Sequence, residues 1–196
     1  MMQQATRGEI SPDGQFQWDG TQWQPITGTT WQPTEWTRPM QTAVAAYWLI
    51  SGLFGILTPV LFGQAIKDAA LKQIQSQNPS LTADQQQQAL NLGIGVAFAF
   101  AVIFGIIYLA LAILSYVRRF GWVFYVDLVL LGLSAIGVVT NLVALGSKNS
   151  AQPALAAGIG LLLSLAALGL FVWMLLARLQ RGVWACRKAP VSAANV

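Results

Sequence analysis

The side chains that could carry chemistry in this chain are few. There is no histidine among the 196 residues, which removes the commonest general base and metal ligand at neutral pH. One cysteine, Cys186, allows neither an intramolecular disulfide nor a thiolate metal site. The seven acids are Glu9, Asp13, Asp19, Glu35, Asp68, Asp84 and Asp127. Asp127 alone falls inside an apolar run, where a carboxylate is costly and by default suggests a function such as a proton or cation relay. Its place near the start of that run also suits pairing with Arg118 or Arg119. Asn141, with Thr140, lies toward the other end of the same run and suits hydrogen bonding between helices. No catalytic, metal or cofactor constellation follows, and the expectation is a non-enzymatic protein without cofactors.

The elements that position these residues are set by composition. Hydrophobic residues make up 55% of the chain and charged ones only 9%, against about 25% charged in soluble domains. Such a chain cannot build a water-facing surface, so the class is an all-α membrane protein. Four apolar stretches at 42–63, 93–116, 122–145 and 154–177 are each long enough to cross a hydrocarbon core of about 30 Å. None shows the polar stripe of a soluble core helix. The organisation read from this is a tryptophan-rich segment at 1–41, a four-helix transmembrane bundle at 42–178 and a basic tail at 179–196. The N-terminal residues lack a basic region followed by a short apolar run, so the first span is expected to act as a retained signal-anchor.

Basic residues orient the spans. Eight of the eleven (Arg7, Arg38, Arg118, Arg119, Arg178, Arg181, Arg187 and Lys188) fall on one side, and Lys67, Lys72 and Lys148 on the other. Both termini and the 118–119 turn are therefore expected in the cytoplasm. The net charge of +4 sits beside apolar segments and does not form a nucleic-acid surface. The cluster Arg178, Arg181, Arg187 and Lys188 is instead a candidate site for anionic lipid headgroups, with membrane lipids as partners. Trp48, Trp122, Trp173, Trp184, Tyr47, Tyr116 and Tyr125 are assigned to interfacial aromatic belts.

The loop at 64–92 reads as an external helical hairpin. Ile66, Ala69, Ala70 and Ile74 extend the first span, Asn78-Pro79-Ser80 breaks it, and Thr82 with Gln85 has capping-box spacing. Small residues every four positions mark packing seams: Ser51, Gly55, Pro59 and Gly63 in the first span, with Pro59 set to kink it; Gly93, Ala97, Ala101 and Gly105 in the second; Ala156, Gly160 and Ser164 in the fourth. These rows account for a bundle, and a homo-oligomer is a further candidate assembly.

Asp19-Gly20 between short β-prone runs predicts a hairpin with a two-residue turn, pairing Trp18 with Thr21 and Phe16 with Trp23. Phe16, Trp18, Thr21 and Trp23 then share one face, with the glutamines on the other. A lone hairpin is marginally stable, so this face is expected to cover Trp31 and Trp36, the membrane surface or a cytoplasmic protein partner. The stretch Asp13-Gly14 to Trp18-Asp19-Gly20-Thr21 and Trp23 resembles the tryptophan-rich WDGT modules of actinobacterial and related bacterial membrane proteins, though without the Gly-Trp-Tyr-Pro-Asp-Pro opening of their commoner version. The resemblance covers about 15 residues and implies a multi-span protein of a bacterial cell membrane; that family has no assigned function. The four spans with the Arg118-Arg119-Phe120-Gly121-Trp122 turn look loosely like uncharacterised bacterial four-helix membrane proteins. The expected function is a membrane-anchored interaction or scaffold protein; the alternative is a small oligomeric transporter or channel using Asp127 and Asn141.

Overall fold

A computed structural model describes residues 6–9, 11, 16–25, 29–147 and 153–190. The Asp13-Gly14 opening of the motif, Lys148 and the end of the tail lie outside the described residues. The chain is a four-helix membrane bundle carrying a small N-terminal antiparallel strand pair. Its elements are β1 (Phe16–Trp18), β2 (Trp23–Pro25), β3 (Thr29–Pro33), α1 (Thr37–Gln77), α2 (Ala83–Val117), α3 (Gly121–Gly146), α4 (Ala154–Arg181), a 3₁₀ turn (Val183–Ala185) and β4 (Cys186–Pro190). All four helices are long and apolar enough to span a membrane, with mean hydropathy between 1.8 and 2.8.

The helices outrun the apolar stretches that predict them. α1 begins at Thr37, inside the segment assigned to the hairpin region, and continues to Gln77. Thr82 caps α2: its hydroxyl accepts from the Gln85 amide (3.4 Å) while the Gln85 side chain accepts from the Thr82 amide (3.0 Å). Gln75 donates to Gln86 across the two extensions at 3.3 Å. α1 and α2 thus form one long antiparallel pair, and α3 and α4 a shorter one.

The two pairs are joined at one end. Met40, Val44 and Trp48 of α1, Leu111 of α2, Val123, Phe124 and Leu131 of α3, and Met174 and Ala177 of α4 form one core with Trp184. No residue of α1 beyond Gly52, or of α3 beyond Leu131, is buried. The turn at 118–120, the start of α1 and the end of α4 gather at this same end. Arg38 donates to the Tyr116 carbonyl (3.1 Å), and Gln41 to those of Ser115 (3.0 Å) and Arg118 (3.4 Å). The first turn of α1 therefore satisfies the carbonyls that a helix C-terminus leaves open.

The tail is not a free basic extension. Gly182, at φ 98° and ψ −173°, takes a conformation nearly closed to residues with a Cβ and turns the chain out of α4. Trp184 and Ala185 follow in the left-handed region (φ 55° and 52°). β4 then pairs antiparallel with β3, Pro33 opposite Cys186 and Gln32 opposite Arg187. Thr34 Oγ1 donates to the Ala185 carbonyl at 2.8 Å. The segments that enter α1 and leave α4 are clasped together beside the core.

The seams are only partly where spacing placed them. Gly52 and Gly105 make the close contact of α1 with α2: a Cβ at Gly52 would sit 3.1 Å from the Gly105 carbonyl, and one at Gly105 would strike Ile56. A Cβ at Gly55, Gly63 or Gly93 would meet nothing within 4 Å. The predicted first-span row is therefore one position off the contact face. Spacing identifies rows, and the face that meets a neighbour depends on helix rotation. In α4, Ala156 and Ser164 are buried and Gly160 abuts Asn141.

Candidate functional site

Asp127 is fully buried and joins three helices. The Trp48 indole N–H donates to its Oδ1 at 2.9 Å, and the Ser115 hydroxyl to its Oδ2 at 2.6 Å. The expected pairing with Arg118 or Arg119 is not made: Ser115, on the last turn of α2, and Trp48, on α1, supply both donors. With Gln41 on the Ser115 carbonyl, a polar ladder runs from the α2–α3 turn into the core. Each step satisfies a group whose burial without a partner costs about 1–3 kcal/mol. Trp48 is 0% exposed and Trp184 1%, so both leave the interfacial belt to which they were assigned. Trp184 packs edge-on to Phe124 at 5.3 Å and donates to the Phe120 carbonyl at 3.0 Å. Tyr47 is also buried, while Trp122, Tyr116 and Tyr125 remain exposed.

Asn141 belongs to a separate site. Its amide donates to the Gly137 carbonyl (2.7 Å) and weakly to Ser164 Oγ (3.4 Å), linking α3 to α4 where Gly160 brings the backbones close. Fourteen positions along α3 put it about 21 Å from Asp127 at 1.5 Å per residue. The two intramembrane polar residues are not brought together.

Two members of the basic cluster are engaged by neighbouring side chains. Arg178 donates to the Tyr125 hydroxyl at 3.1 Å. Arg181 pairs with Glu35 at 3.4 Å and stands over the Trp36 ring at 4.3 Å. Arg187 and Lys188 lie on β4, opposite Gln32 and Trp31. Cys186, assigned no role, is buried beside Thr37 Oγ1 at 3.9 Å.

The hairpin forms with a different turn. Trp18 pairs with Trp23, Gln17 with Gln24 and Phe16 with Pro25, two residues out of the predicted register. Asp19 is the cause: its Oδ1 accepts from the Thr21 amide (2.7 Å), the Thr21 hydroxyl (2.8 Å) and the Gln22 amide (2.8 Å). A four-residue loop over Asp19–Gln22 satisfies more donors than a two-residue turn could. Gly20 at φ 106° permits it. These bonds, the Gln22 amide foremost, hold the Asp19 carboxyl well below the usual carboxylate range.

A shift of two keeps every side chain on its face. Phe16, Trp18 and Trp23 still share one side, but Thr21 moves into the loop. Trp18 and Trp23 become direct neighbours, edge to face with centroids 5.5 Å apart. The glutamine side is occupied: Gln17 donates to the Gly8 carbonyl (3.2 Å) and Gln24 to Asp19 (3.1 Å). The backbone of Gly8, Glu9 and Ser11 lines the other edge of β1, with Gly8 donating to Trp18 and Trp18 to Glu9, both at 2.8 Å. Among the described residues nothing closes the aromatic side, with Phe16 37% and Trp23 40% exposed. Trp36 does not cover it, packing instead on Trp173 at 6.4 Å; the Trp31 side chain lies outside the described residues.

No protein family, curated protein or solved structure matches this chain. Among the described residues no group of three His, Cys, Asp or Glu side chains is placed to hold a metal ion. Sequence reasoning missed Trp48 and Ser115 as the partners of Asp127, and Gln41 as the donor to the Ser115 carbonyl. Their common depth was the available signal, since all four lie within a few turns of the same membrane face.

Proposed function

We propose that this chain is a non-enzymatic interaction protein of a bacterial plasma membrane, with both termini cytoplasmic and the aromatic face of the N-terminal hairpin as its docking surface. The observation that carries this reading is the Trp18–Trp23 pair. It is rigidified by the Asp19 loop, backed by hydrogen-bonded glutamines, and left open on its outer side. Tryptophans held in this way are the side chains that concentrate binding energy at interfaces. The intramembrane carboxylate, by contrast, has both oxygens engaged by neighbouring helices, which supports a structural role. Eight of eleven bases on the side of the termini support the orientation.

The face serves a cytoplasmic protein or the bilayer surface, and one experiment separates these. In native membranes, photo-crosslinking followed by mass spectrometry compares the full chain with a Trp18→Ala, Trp23→Ala double variant. This leaves intact the β3–β4 clasp that truncation of the first 40 residues would destroy. Defined protein partners that vanish with the two tryptophans support a protein ligand; lipid crosslinks that vanish support the surface. An unchanged pattern defeats the proposal. Asp127→Asn provides the cross-check, since an amide in its place can still accept from Trp48 and donate to Ser115. We expect a fold intact to within about 1 kcal/mol and the same partners. An ion flux in liposomes that Asp127→Asn abolishes would restore the transport alternative.

A further inference from the structure

Beyond the Gly52–Gly105 contact, α1 and α2 separate and then rejoin. Between them lies a cleft of about 860 Å³, walled by Phe54, Gly55, Phe98 and Ala101 at depth and by Lys67 and Asn91 at its outer rim. Below, it is closed where the two glycines touch; above, by buried Leu90 and the Gln75–Gln86 bond. Pro59, midway along the α1 wall, has no amide to offer the Gly55 carbonyl and interrupts regular packing there. Added Cβ atoms at Gly55, Gly63 and Gly95 would all enter open space. The volume lies within the roughly 300–1,000 Å³ of small-ligand sites.

We infer that this cleft holds an acyl chain of an anionic membrane lipid, with the headgroup on Lys67. Three observations select that occupant. From Phe54 to Lys67 the wall rises about 20 Å, somewhat more than one leaflet of a hydrocarbon core of about 30 Å. The deep walls are apolar but for Thr58, whose hydroxyl donates to the Phe54 carbonyl at 2.7 Å, while the polar residues Gln64, Lys67 and Asn91 stand at the rim, where the apolar stretches of both helices end. Lys67 has no hydrogen bond or ion pair among the described residues; the neighbouring carboxylate, Asp68, accepts instead from Gln64 at 3.4 Å. A helix from a second copy fits less well, because the cleft is stopped at both ends and would place Lys67 against it. The inference does not depend on the hairpin.

The test uses the full-length protein in phosphatidylcholine nanodiscs doped with a phosphatidylglycerol that carries a diazirine on its acyl chain. Labelling is expected to concentrate on Phe54, Phe98 and Ala101 over the outward-facing Leu133 and Ile136. Unlabelled phosphatidylglycerol should compete about fivefold better than phosphatidylcholine of the same chains, the factor that one interfacial base contributes. Lys67→Gln should remove that preference while leaving the acyl labelling. Gly95→Leu and, independently, Gly63→Leu should fill the cleft and abolish labelling. Even labelling of all lipid-facing helices would overturn the inference, as would a fivefold preference that survives Lys67→Gln. If both filled variants fail to fold, the Lys67→Gln ratio decides. An efficient disulfide between copies bearing Phe98→Cys would put a second chain in the cleft and overturn it too.

Discussion

The two halves of the bundle are built from similarly apolar helices and held together by different means. At the end where α1 begins and α4 finishes, Trp48, Asp127, Ser115 and Gln41 cross-link α1, α2 and α3, and Trp184 locks the start of the tail against Phe120 and Phe124. At the far end α1 continues past Gly52 to Gln77 with no buried residue, and its Gly55 and Gly63 face open space. In lipid, apolar surface gains nothing by leaving lipid for another helix. Helices therefore stay together where polar groups bond across them or where small residues let backbones touch. The near half has both devices. The far half has the Gly52–Gly105 contact of α1 with α2, a small-residue contact of α3 with α4 where Gly137 and Gly160 abut Ser164 and Asn141, and the glutamine bond outside the apolar stretches, but no buried polar link that joins the two pairs.

The largest expected effect comes from striking the near half. Trp48→Ala removes a fully buried ring and one of the two donors to Asp127, and should lower stability by about 3–5 kcal/mol. Loss of helicity on titration of the detergent-purified protein with SDS would measure it. A change below about 1 kcal/mol would mean that the core is not the anchor of the bundle. The second comparison sets like against like in one helix. Gly105→Ala must displace Ile56 and is expected to cost about 1–3 kcal/mol, whereas Gly95→Ala meets open space and should be neutral or stabilising by up to about 1 kcal/mol through helix propensity. Equal effects at the two positions would dissolve the distinction between the halves.

The smallest effect lies outside the bundle. Asp19 has its carboxyl held below the ordinary range in the folded hairpin, so its contribution is fully present above the ordinary value of about 3.9. It is lost as the pH falls below that value toward the folded one. The Trp18 indole resonance in the full chain should report the loss under acid. Asp19→Ala should show a weakened hairpin at neutral pH with no such dependence. A Trp18 signal that still follows acid in this variant would exclude Asp19 as the origin.

Much of this was legible in advance because it depends on distances along the chain. Four spans follow from run length and charge content, and the Thr82–Gln85 capping box from a three-residue spacing. The aromatic face of the hairpin follows from strand alternation, which a two-residue change of register preserves. Where Asp19 overruled the expected turn, the competing signal was in the sequence but lay in side-chain bonding rather than in dihedral preference. Other features had no such signal. Nothing local distinguishes Trp48 and Trp184, which are buried, from Trp122, which is exposed; all three sit near span ends.

By itself the sequence determined that this chain must live in a membrane, how many times it crosses, and which strand residues share a face, because hydrophobic length and period act locally. Only the tertiary structure decided that Asp127 bonds to Trp48 and Ser115 rather than to arginine, that Gly52 rather than Gly55 meets α2, and that the tail closes onto β3. Those outcomes depend on how each helix is rotated and how far apart the axes lie. These quantities are set by all the contacts of the bundle at once.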